Sequence, residues 1–223
     1  MRARLVFDLD GTLIDSLPDI RAIAGRVLAS EGAEPLTLEE TRDFIGSGTG
    51  AFVARMRAAR DLPETREPEM LHAFLELYDG AVDLTTLYPG VAEALRGLAE
   101  AGHALGICTN KPAAPTRAIL DHFDLSGLFD VIVGGDSLPQ RKPDPAPLAT
   151  ALKRMGKGPA LFVGDSEIDA ETAAAADVPF LLFTQGYSHV DIEEMAHAAC
   201  FERHADLPGL IEATLGGGRH AGS

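Results

Sequence analysis

Short, unbroken apolar runs recur along the chain and alternate with stretches whose apolar residues follow helical spacing. The runs cover residues 5–7, 105–108, 131–133, 161–163 and 180–183. Runs without polar alternation are typical of strands that are buried on both faces of a parallel sheet. Between them, the spacing predicts helices over 90–101, 112–122, 144–155 and 167–176. This strand–helix repetition predicts an α/β fold with a doubly wound parallel sheet and right-handed crossovers.

The segment 16–85 breaks this rhythm because it contains no strand-like run. Ser16 and Thr37 are each followed three residues later by an acidic residue, a pattern typical of helix N-termini. Apolar residues then recur at helical spacing, as in Ile20, Ile23, Val27 and Leu28. We therefore predict a small all-helical domain over 16–85, inserted after the first strand into an α/β catalytic core formed by 1–15 and 86–223.

Composition narrows the possible functions. The 223 residues carry a net charge of -15, which argues against a protein that tracks duplex nucleic acid, since such proteins need a basic surface. The sequence contains no apolar run of about 18 residues, so we expect no membrane span and a cytoplasmic enzyme. Cys108 and Cys200 lie far apart and are expected to be buried thiols rather than a disulfide. The glycine run at 216–218 is predicted to be mobile.

Asp8 and Asp10 follow the first predicted strand, at the sheet edge where open α/β folds bind ligands. Two carboxylates two residues apart point the same way if the strand geometry persists. They repel each other unless a cation or a shared proton is present. With a divalent cation, one can remain ionised as a nucleophile while the other holds a proton as a general acid. The structural alternative is an acidic pair that caps a turn at Gly11.

Polar residues also follow the second and third predicted strands. The Thr-Asn-Lys segment at 109–111 offers a hydroxyl and backbone N–H groups that could hold phosphate oxygens. Lys142 could neutralise charge on a phosphoryl group and on nearby carboxylates. The alternatives are an ordinary turn before Pro112 and a solvated lysine.

Asp165 and Asp169 follow the fourth predicted strand and lie across a strand-to-helix junction. They could supply metal ligands from a second strand end, and a site with few carboxylate oxygens suits Mg²⁺. The alternative is an aspartate that caps the helix together with an exposed helical acid.

Taken together, these four segments resemble the haloacid dehalogenase superfamily, and its phosphoglycolate phosphatase branch in particular. The matching segments are FDLDGTLIDS at 7–16, TNK at 109–111, KPDPAPL at 142–148 and FVGDSEID at 162–169. The helical insertion falls where that family places a small helical cap on a Rossmann-like core. The motif set is highly specific for the superfamily and less specific for the branch.

The resemblance implies roles for the acidic residues. Asp8 would attack phosphorus to form an aspartyl-phosphate, and Asp10 would act first as general acid and then as general base. Mg²⁺ would be held by Asp8, the backbone carbonyl of Asp10 and Asp165, with Asp169 and Ser166 beside these ligands.

The resemblance also implies how the phosphate is held. Thr109, the backbone of Asn110 and Lys142 would bind the oxygens on which charge concentrates during transfer, so that Thr109 and Lys142 also belong to the catalytic set. A small phosphate ester is the expected partner, and the chain is expected to be a monomer or a homodimer. A carboxylate at position 10 favours phosphate ester chemistry within the superfamily, because branches that cleave carbon–halogen bonds typically lack it.

The candidate for substrate recognition is a loop of the helical insertion that contains Gly46, Ser47 and Gly48 and is followed by Arg55. Backbone N–H groups there, together with Arg55, could hold a small carboxylate, which would suit 2-phosphoglycolate. One alternative is a flexible loop with exposed arginines, and another is a loop that recognises a sugar. The expected function is Mg²⁺-dependent hydrolysis of small phosphate monoesters. A sugar-phosphate phosphatase, a hexose-phosphate phosphomutase and a non-catalytic binding or regulatory module are the alternatives.

Overall fold

The computed structural model describes residues 2–217 and contains a six-stranded parallel sheet with helices on both faces. The strands are β1 Arg4–Phe7, β2 Ile14–Asp15, β3 Thr86–Leu87, β4 Ala104–Cys108, β5 Val131–Val133, β6 Ala160–Gly164, β7 Phe180–Phe183 and β8 Ala199–Phe201. The order across the main sheet is β5-β4-β1-β6-β7-β8, and every neighbouring pair is parallel. The predicted doubly wound parallel sheet is confirmed.

Four helices lie between β2 and β3, four connect the strands of the main sheet, and the last follows β8. They are α1 Leu17–Ser30, α2 Leu38–Phe44, α3 Thr49–Ala58, α4 Glu67–Tyr78, α5 Val91–Glu100, α6 Ala113–His122, α7 Ala146–Arg154, α8 Glu167–Ala175 and α9 Leu207–Gly217. Short 3-10 turns occur at Glu64–Arg66, Ser126–Leu128, Ile192–Glu194 and His204–Asp206. None of the helices in the described chain is both long enough and apolar enough to cross a membrane.

Both faces of the main sheet are buried, which explains the unbroken apolar runs in the sequence. In β1, Leu5 and Phe7 pack into a cluster with α5, α6 and α9, whereas Val6 points to the other face and packs with α7 and α8. Because successive side chains of a strand alternate between faces, each apolar run contributes to both clusters.

Helices α1 to α4 form a separate helical segment, which we call the cap, with a hydrophobic cluster of its own. The buried members of that cluster come from this segment alone: Ile20, Ile23, Ala24, Val27, Leu28, Leu36, Phe52, Val53, Met56, Met70, Phe74 and Tyr78. The predicted N-terminal pattern at Thr37 is observed, because its hydroxyl accepts from the backbone of Glu40 while the Glu40 carboxylate accepts from the backbone of Thr37.

The two connections between the cap and the core lie side by side. Strands β2 and β3 pair antiparallel where the chain leaves the core and where it returns. Asp19, in the first turn of α1, accepts hydrogen bonds from the Leu84 backbone at 3.1 Å and from the Thr85 hydroxyl at 2.7 Å. These contacts hold the two connections together. The exact boundaries of the helical domain, 16–85, stay a prediction.

Two elements of the core, β8 and α9, are absent from the sequence prediction. β8 has only three residues and lies at the edge of the sheet. Cys200 in β8 is exposed, so the prediction of a buried thiol there is wrong, whereas Cys108 in β4 is buried as expected. The glycine run at 216–218 begins inside α9 and its last residue lies outside the described residues, so its mobility is untested.

Candidate active site

The loops that follow β1, β4, β5 and β6 meet at the carboxyl edge of the sheet, beneath the cap. There they enclose a cavity of about 60 Å³. Its walls contain most of the residues that the sequence singles out: Asp8, Asp10, Thr109, Asn110, Lys142, Asp165 and Ser166. The parallel sheet thus brings together side chains that lie up to about 160 positions apart in the chain.

Lys142 lies between two acidic side chains at the floor of this site. Its Nζ is 2.8 Å from Oδ1 of Asp8 and 2.6 Å from Oδ1 of Asp169. Only 2% of the Lys142 side chain is exposed, and the Asp169 side chain is fully buried. The two carboxylates raise the pKa of Lys142 despite its burial, so the amine is charged.

Burial disfavours the charged carboxylates more strongly than one lysine can offset. Burial raises the pKa of Asp8 to about 6, with Lys142 lowering it and the charge on Asp169 raising it further. Burial also raises the pKa of Asp165, and the charges on Asp169 and Asp8 add to this effect. Such a cluster gains stability from a further positive charge.

A divalent cation suits this donor set. Carboxylate oxygens of Asp8, Asp165 and Asp169 lie within 4.8 Å of one another, and hard oxygen donors of this kind fit Mg²⁺. Asp169 is already engaged, however: Oδ1 accepts from Lys142, and Oδ2 accepts from the Ser166 hydroxyl at 2.8 Å. Asp8 and Asp165 line the cavity, whereas Asp169 does not, so an ion in the cavity would reach the carboxylates of Asp8 and Asp165, with Asp169 and Ser166 beside them.

Two contacts orient the carboxylate of Asp165. The hydroxyl of Thr12 donates to Oδ1 at 2.6 Å, and the backbone N–H of Tyr187 donates to Oδ2 at 2.7 Å. Gly11 passes directly beside this carboxylate with φ +86°, and a Cβ at that position would overlap it. Only glycine satisfies both the left-handed backbone and the close approach.

Asp10 has partners different from those of the carboxylate cluster. Its Oδ1 accepts from the Ser16 hydroxyl at 2.6 Å and from Lys111 Nζ at 3.2 Å. Ser16 is the N-cap residue of α1, as the sequence pattern predicts, but its hydroxyl makes no capping hydrogen bond there. The hydroxyl orients the candidate general acid instead.

Asn110 connects three loops of the site. Its Oδ1 accepts from the backbone N–H of Lys142 at 3.0 Å, and its Nδ2 donates to the Lys142 carbonyl at 3.0 Å and to the Gly46 carbonyl at 2.9 Å. The neighbouring Thr109 is buried, and its hydroxyl accepts from the Lys111 backbone at 3.2 Å. The side chain of Asn110 thus positions the lysine loop, which the sequence did not indicate.

The cap covers the cavity with a largely apolar wall formed by Ile20, Ile45, Phe52 and Phe74. Of the predicted recognition loop, Gly46 and Gly48 line the cavity, whereas Ser47 and Arg55 are not among the described residues that do. The Arg55 guanidinium donates to the Phe44 carbonyl and to the Ser47 hydroxyl, each at 3.1 Å. Arg55 therefore braces the loop from its outer side.

Five further residues of the site were missed by sequence reasoning, namely Thr12, Ser16, Tyr78, Lys111 and Tyr187. Three of them lie inside segments that carry the family resemblance and could have been singled out there. Tyr187 and Tyr78 have no local signal, because each reaches the site only through the folding of a distant segment. The hydroxyl of Tyr187 donates to Asp15 at 2.6 Å beside the first connection to the cap.

Comparison with known proteins agrees with this geometry. The model of the family described as haloacid dehalogenase-like hydrolase matches residues 5–183. The chain is a haloacid dehalogenase-like hydrolase. The resemblance drawn from its four motifs is thus confirmed.

Curated relatives and solved structures place this hydrolase more narrowly. It is 48% identical over 214 residues to the phosphoglycolate phosphatase of Cereibacter sphaeroides (strain ATCC 17025 / ATH 2.4.3), covering 95% of this chain and 98% of the relative. It is 42% identical to that of Rhodobacter capsulatus, with the same coverage. A crystal structure of a predicted phosphoglycolate phosphatase from Haemophilus somnus 129PT is similar with a TM-score of 0.86 and 31% identity, covering 93% of this chain and 96% of that one.

Proposed function

We propose that the hydrolase is a Mg²⁺-dependent phosphatase of small phosphate monoesters and that 2-phosphoglycolate is its first substrate. The observation that carries this proposal is the buried constellation of Asp8, Lys142 and Asp165 in a cavity that also exposes Asp10. The names of the curated relatives support the choice of substrate.

In the first half-reaction, a carboxylate oxygen of Asp8 attacks phosphorus and the bond from phosphorus to the ester oxygen breaks. Asp10 transfers its proton to the departing oxygen, so that glycolate leaves as the alcohol. Lys142, which is 2.8 Å from Asp8, balances the charge of the phosphoryl group next to the nucleophile.

In the second half-reaction, the ionised Asp10 accepts a proton from water while the water oxygen attacks phosphorus. The bond between phosphorus and Asp8 breaks, inorganic phosphate leaves and Asp10 is protonated again. Ser16 and Lys111 keep the Asp10 carboxylate in one orientation for both steps.

Asp8 and Asp165, with the backbone carbonyl of Asp10, are the residues proposed to hold Mg²⁺. When bound, the ion would supply positive charge that offsets repulsion between the carboxylates and the phosphate. Thr12, Tyr187 and Ser166 hold the carboxylates in place around that position.

The lining of the cavity favours a leaving group with few hydroxyls. Its cap side is apolar, so a sugar with several hydroxyls would find few hydrogen-bond partners there. A two-carbon acid places fewer unsatisfied polar groups against that wall.

Phosphate release by the purified full chain tests the proposal. We expect Mg²⁺-dependent release from 2-phosphoglycolate that exceeds release from hexose phosphates and nucleotides, and loss of activity in EDTA that Mg²⁺ restores. Release from sugar phosphates alone would contradict the substrate, and return of the phosphoryl group to a sugar would indicate a mutase. Acid quenching with ³²P-labelled substrate should trap label on wild-type protein and none on Asp8→Asn.

A further inference from the structure

Two lysines supply the permanent positive charge of the cavity. Of the lysine and arginine side chains within residues 2–217, Lys111 and Lys142 are the ones that line it. Lys142 lies between Asp8 and Asp169, next to the nucleophile, and so serves the phosphoryl group. Lys111 has a different partner, because its ammonium contacts Asp10.

The position of Lys111 relative to Asp10 determines which part of a substrate it can reach. Asp10 is the proposed proton donor to the ester oxygen, so a group bound to its carboxylate lies on the leaving-group side of phosphorus. Nζ of Lys111 is 3.2 Å from Oδ1 of Asp10, and 1% of the Lys111 side chain is exposed. In 2-phosphoglycolate, one CH₂ separates the ester oxygen from the carboxylate, which places that carboxylate beside Lys111.

Tyr78, a residue of the cap, contacts the ammonium of Lys111. Lys111 Nζ donates to the Tyr78 hydroxyl at 2.6 Å and lies 4.1 Å from the centre of its ring. Burial raises the pKa of Tyr78 well above 10, so the hydroxyl keeps its hydrogen at neutral pH. Since the oxygen accepts from Lys111, that hydrogen is available for donation to a ligand.

Lys111 and Tyr78 together have more hydrogen-bond donors than the described residues have acceptors for them. An ammonium has three N–H donors, and within residues 2–217 Lys111 uses two of them, one on Asp10 and one on Tyr78. One N–H of Lys111 and the hydroxyl hydrogen of Tyr78 are thus left for an anionic acceptor. Apolar side chains of Phe52, Phe74 and Ile20 line the same cavity, and low polarity strengthens charge-assisted hydrogen bonds.

We propose that Lys111 and Tyr78 form the subsite that binds the substrate carboxylate and so select small phosphorylated acids over neutral phosphate esters. The inference rests on the proposed function and assigns its substrate preference to these two residues. It moves carboxylate recognition from Arg55, whose guanidinium is held by Phe44 and Ser47, to a lysine of the core and a tyrosine of the cap.

A matched pair of substrates separates recognition from catalysis. 2-Phosphoglycolate and 2-hydroxyethyl phosphate have the same two-carbon chain and differ by a carboxylate in place of a CH₂OH group. The measured quantity is the ratio of their kcat/KM values in wild type, Lys111→Met, Tyr78→Phe, Arg55→Gln and Lys157→Met. Lys157 is an exposed lysine remote from the cavity lining and controls for loss of a positive charge.

In Lys111→Met, we expect the ratio to fall by about 10- to 100-fold, the range for a lost hydrogen bond to a charged group. Tyr78→Phe keeps the ring and should lower the ratio by about 2- to 10-fold. The ratio should change less than about 2-fold in Arg55→Gln and Lys157→Met. If Lys111→Met fails to fold, Tyr78→Phe still tests the proposed carboxylate subsite.

Two results would overturn the proposal. An unchanged ratio in Lys111→Met would mean that Lys111 contacts no substrate carboxylate, and an equal loss on both esters would show that it acts only through Asp10. A selective loss in Arg55→Gln alone would return recognition to the cap loop. Failure of the proposed function gives a different result, because the wild-type protein itself would then release no phosphate from 2-phosphoglycolate. In that case the proposed carboxylate subsite would be refuted as well.

Discussion

The core and the cap each contain an ion pair between a basic side chain and acidic side chains, and the two differ in burial. In the core, Lys142 contacts Asp8 and Asp169 with 2% of its side chain exposed. In the cap, Arg60 binds both oxygens of Glu40 at 2.8 and 2.7 Å, with 16% and 32% of the two side chains exposed. Both pairs have good geometry, so burial is what distinguishes them.

Burial changes what such a pair does. The Arg60 pair lets Glu40 remain ionised, and hydrogen bonds from Arg60 and Thr37 lower the pKa of Glu40 to about 2. In the core the opposite holds for Asp8, because burial raises its pKa to about 6 even beside Lys142. The cap pair satisfies its charges and stabilises a helix start, whereas the core cluster keeps charge unbalanced and is suited to bind a cation and a phosphate.

The largest effect is expected for Asp8→Asn, which removes the proposed nucleophile. Activity should fall by about 10⁴-fold or more, as for other nucleophile deletions. The free energy of unfolding measured in EDTA should not fall, because the folded state disfavours the Asp8 charge and asparagine carries none. Steady-state kinetics and thermal unfolding check both parts. Activity above roughly 1% of wild type would assign the covalent role to another residue.

The second effect tests burial directly through Lys142→Met. Removing the ammonium leaves Asp8 and Asp169 as unpaired buried carboxylates, which should lower the free energy of unfolding by about 3–5 kcal/mol. The melting temperature should fall by roughly 10 °C, and phosphatase activity by about 10²-fold or more. Lys157→Met is the control and should stay within about 0.5 kcal/mol of wild type. Equal melting temperatures for the two variants would refute a special role of the buried cation.

The third prediction uses the pH dependence of the free energy of unfolding to separate the core from the cap. His204 is buried against Phe183, Phe201 and Tyr88, and burial lowers its pKa to about 4. Because the unfolded imidazole has a pKa near 6.5, the unfolded state binds the proton first, and stability is lost as pH falls through that window.

From this group alone, the free energy of unfolding should be about 2 kcal/mol lower at pH 5 than at pH 8. His204→Leu should remove that difference, as measured by denaturant unfolding at both pH values. The Glu40 pair cannot contribute in this range, because its stabilisation is complete above pH 4.5 and is lost only as pH falls toward 2. An unchanged pH dependence in the His204 variant would show that other groups cause it.

The smallest effect is expected for Glu40→Gln in the cap. Because the pair is partly exposed and screened by water, its loss should lower the free energy of unfolding by only about 0.3–1 kcal/mol. The kcat/KM for 2-phosphoglycolate should change less than about 2-fold, since Glu40 does not line the cavity. A loss as large as that of Lys142→Met would erase the contrast between the two pairs.

Much of the core could be predicted from sequence because its signals are local. Each of the five short apolar runs forms a strand, and Asp8, Thr109 and Asp165 follow their strands directly. β8 escaped prediction because three residues at a sheet edge carry no distinctive pattern. α9 was missed although Leu207 and Ile211 lie at helical spacing and are both buried.

The cap was predicted less completely than the core. Its helices follow from apolar periodicity and from the capping pattern at Thr37. The recognition loop was chosen by sequence position, and the structure brings Gly46 and Gly48 to the cavity while Arg55 stays on the outer side. A loop position does not reveal where a long side chain points, because its partners come from elsewhere in the fold.

The sequence by itself determined the α/β class, the helical insertion and the acids that follow the strands, because strand burial and strand ends are read over a few residues. Only the tertiary structure decided three sets of hydrogen bonds. Lys111 donates to Tyr78, the Ser16 hydroxyl donates to Asp10, and Tyr187 donates to both Asp15 and Asp165. The Ser16–Asp10 contact spans six residues, and the others join residues that lie 22 to 172 positions apart. These contacts exist because the cap and the parallel sheet bring polar groups out of water together, where each needs a partner.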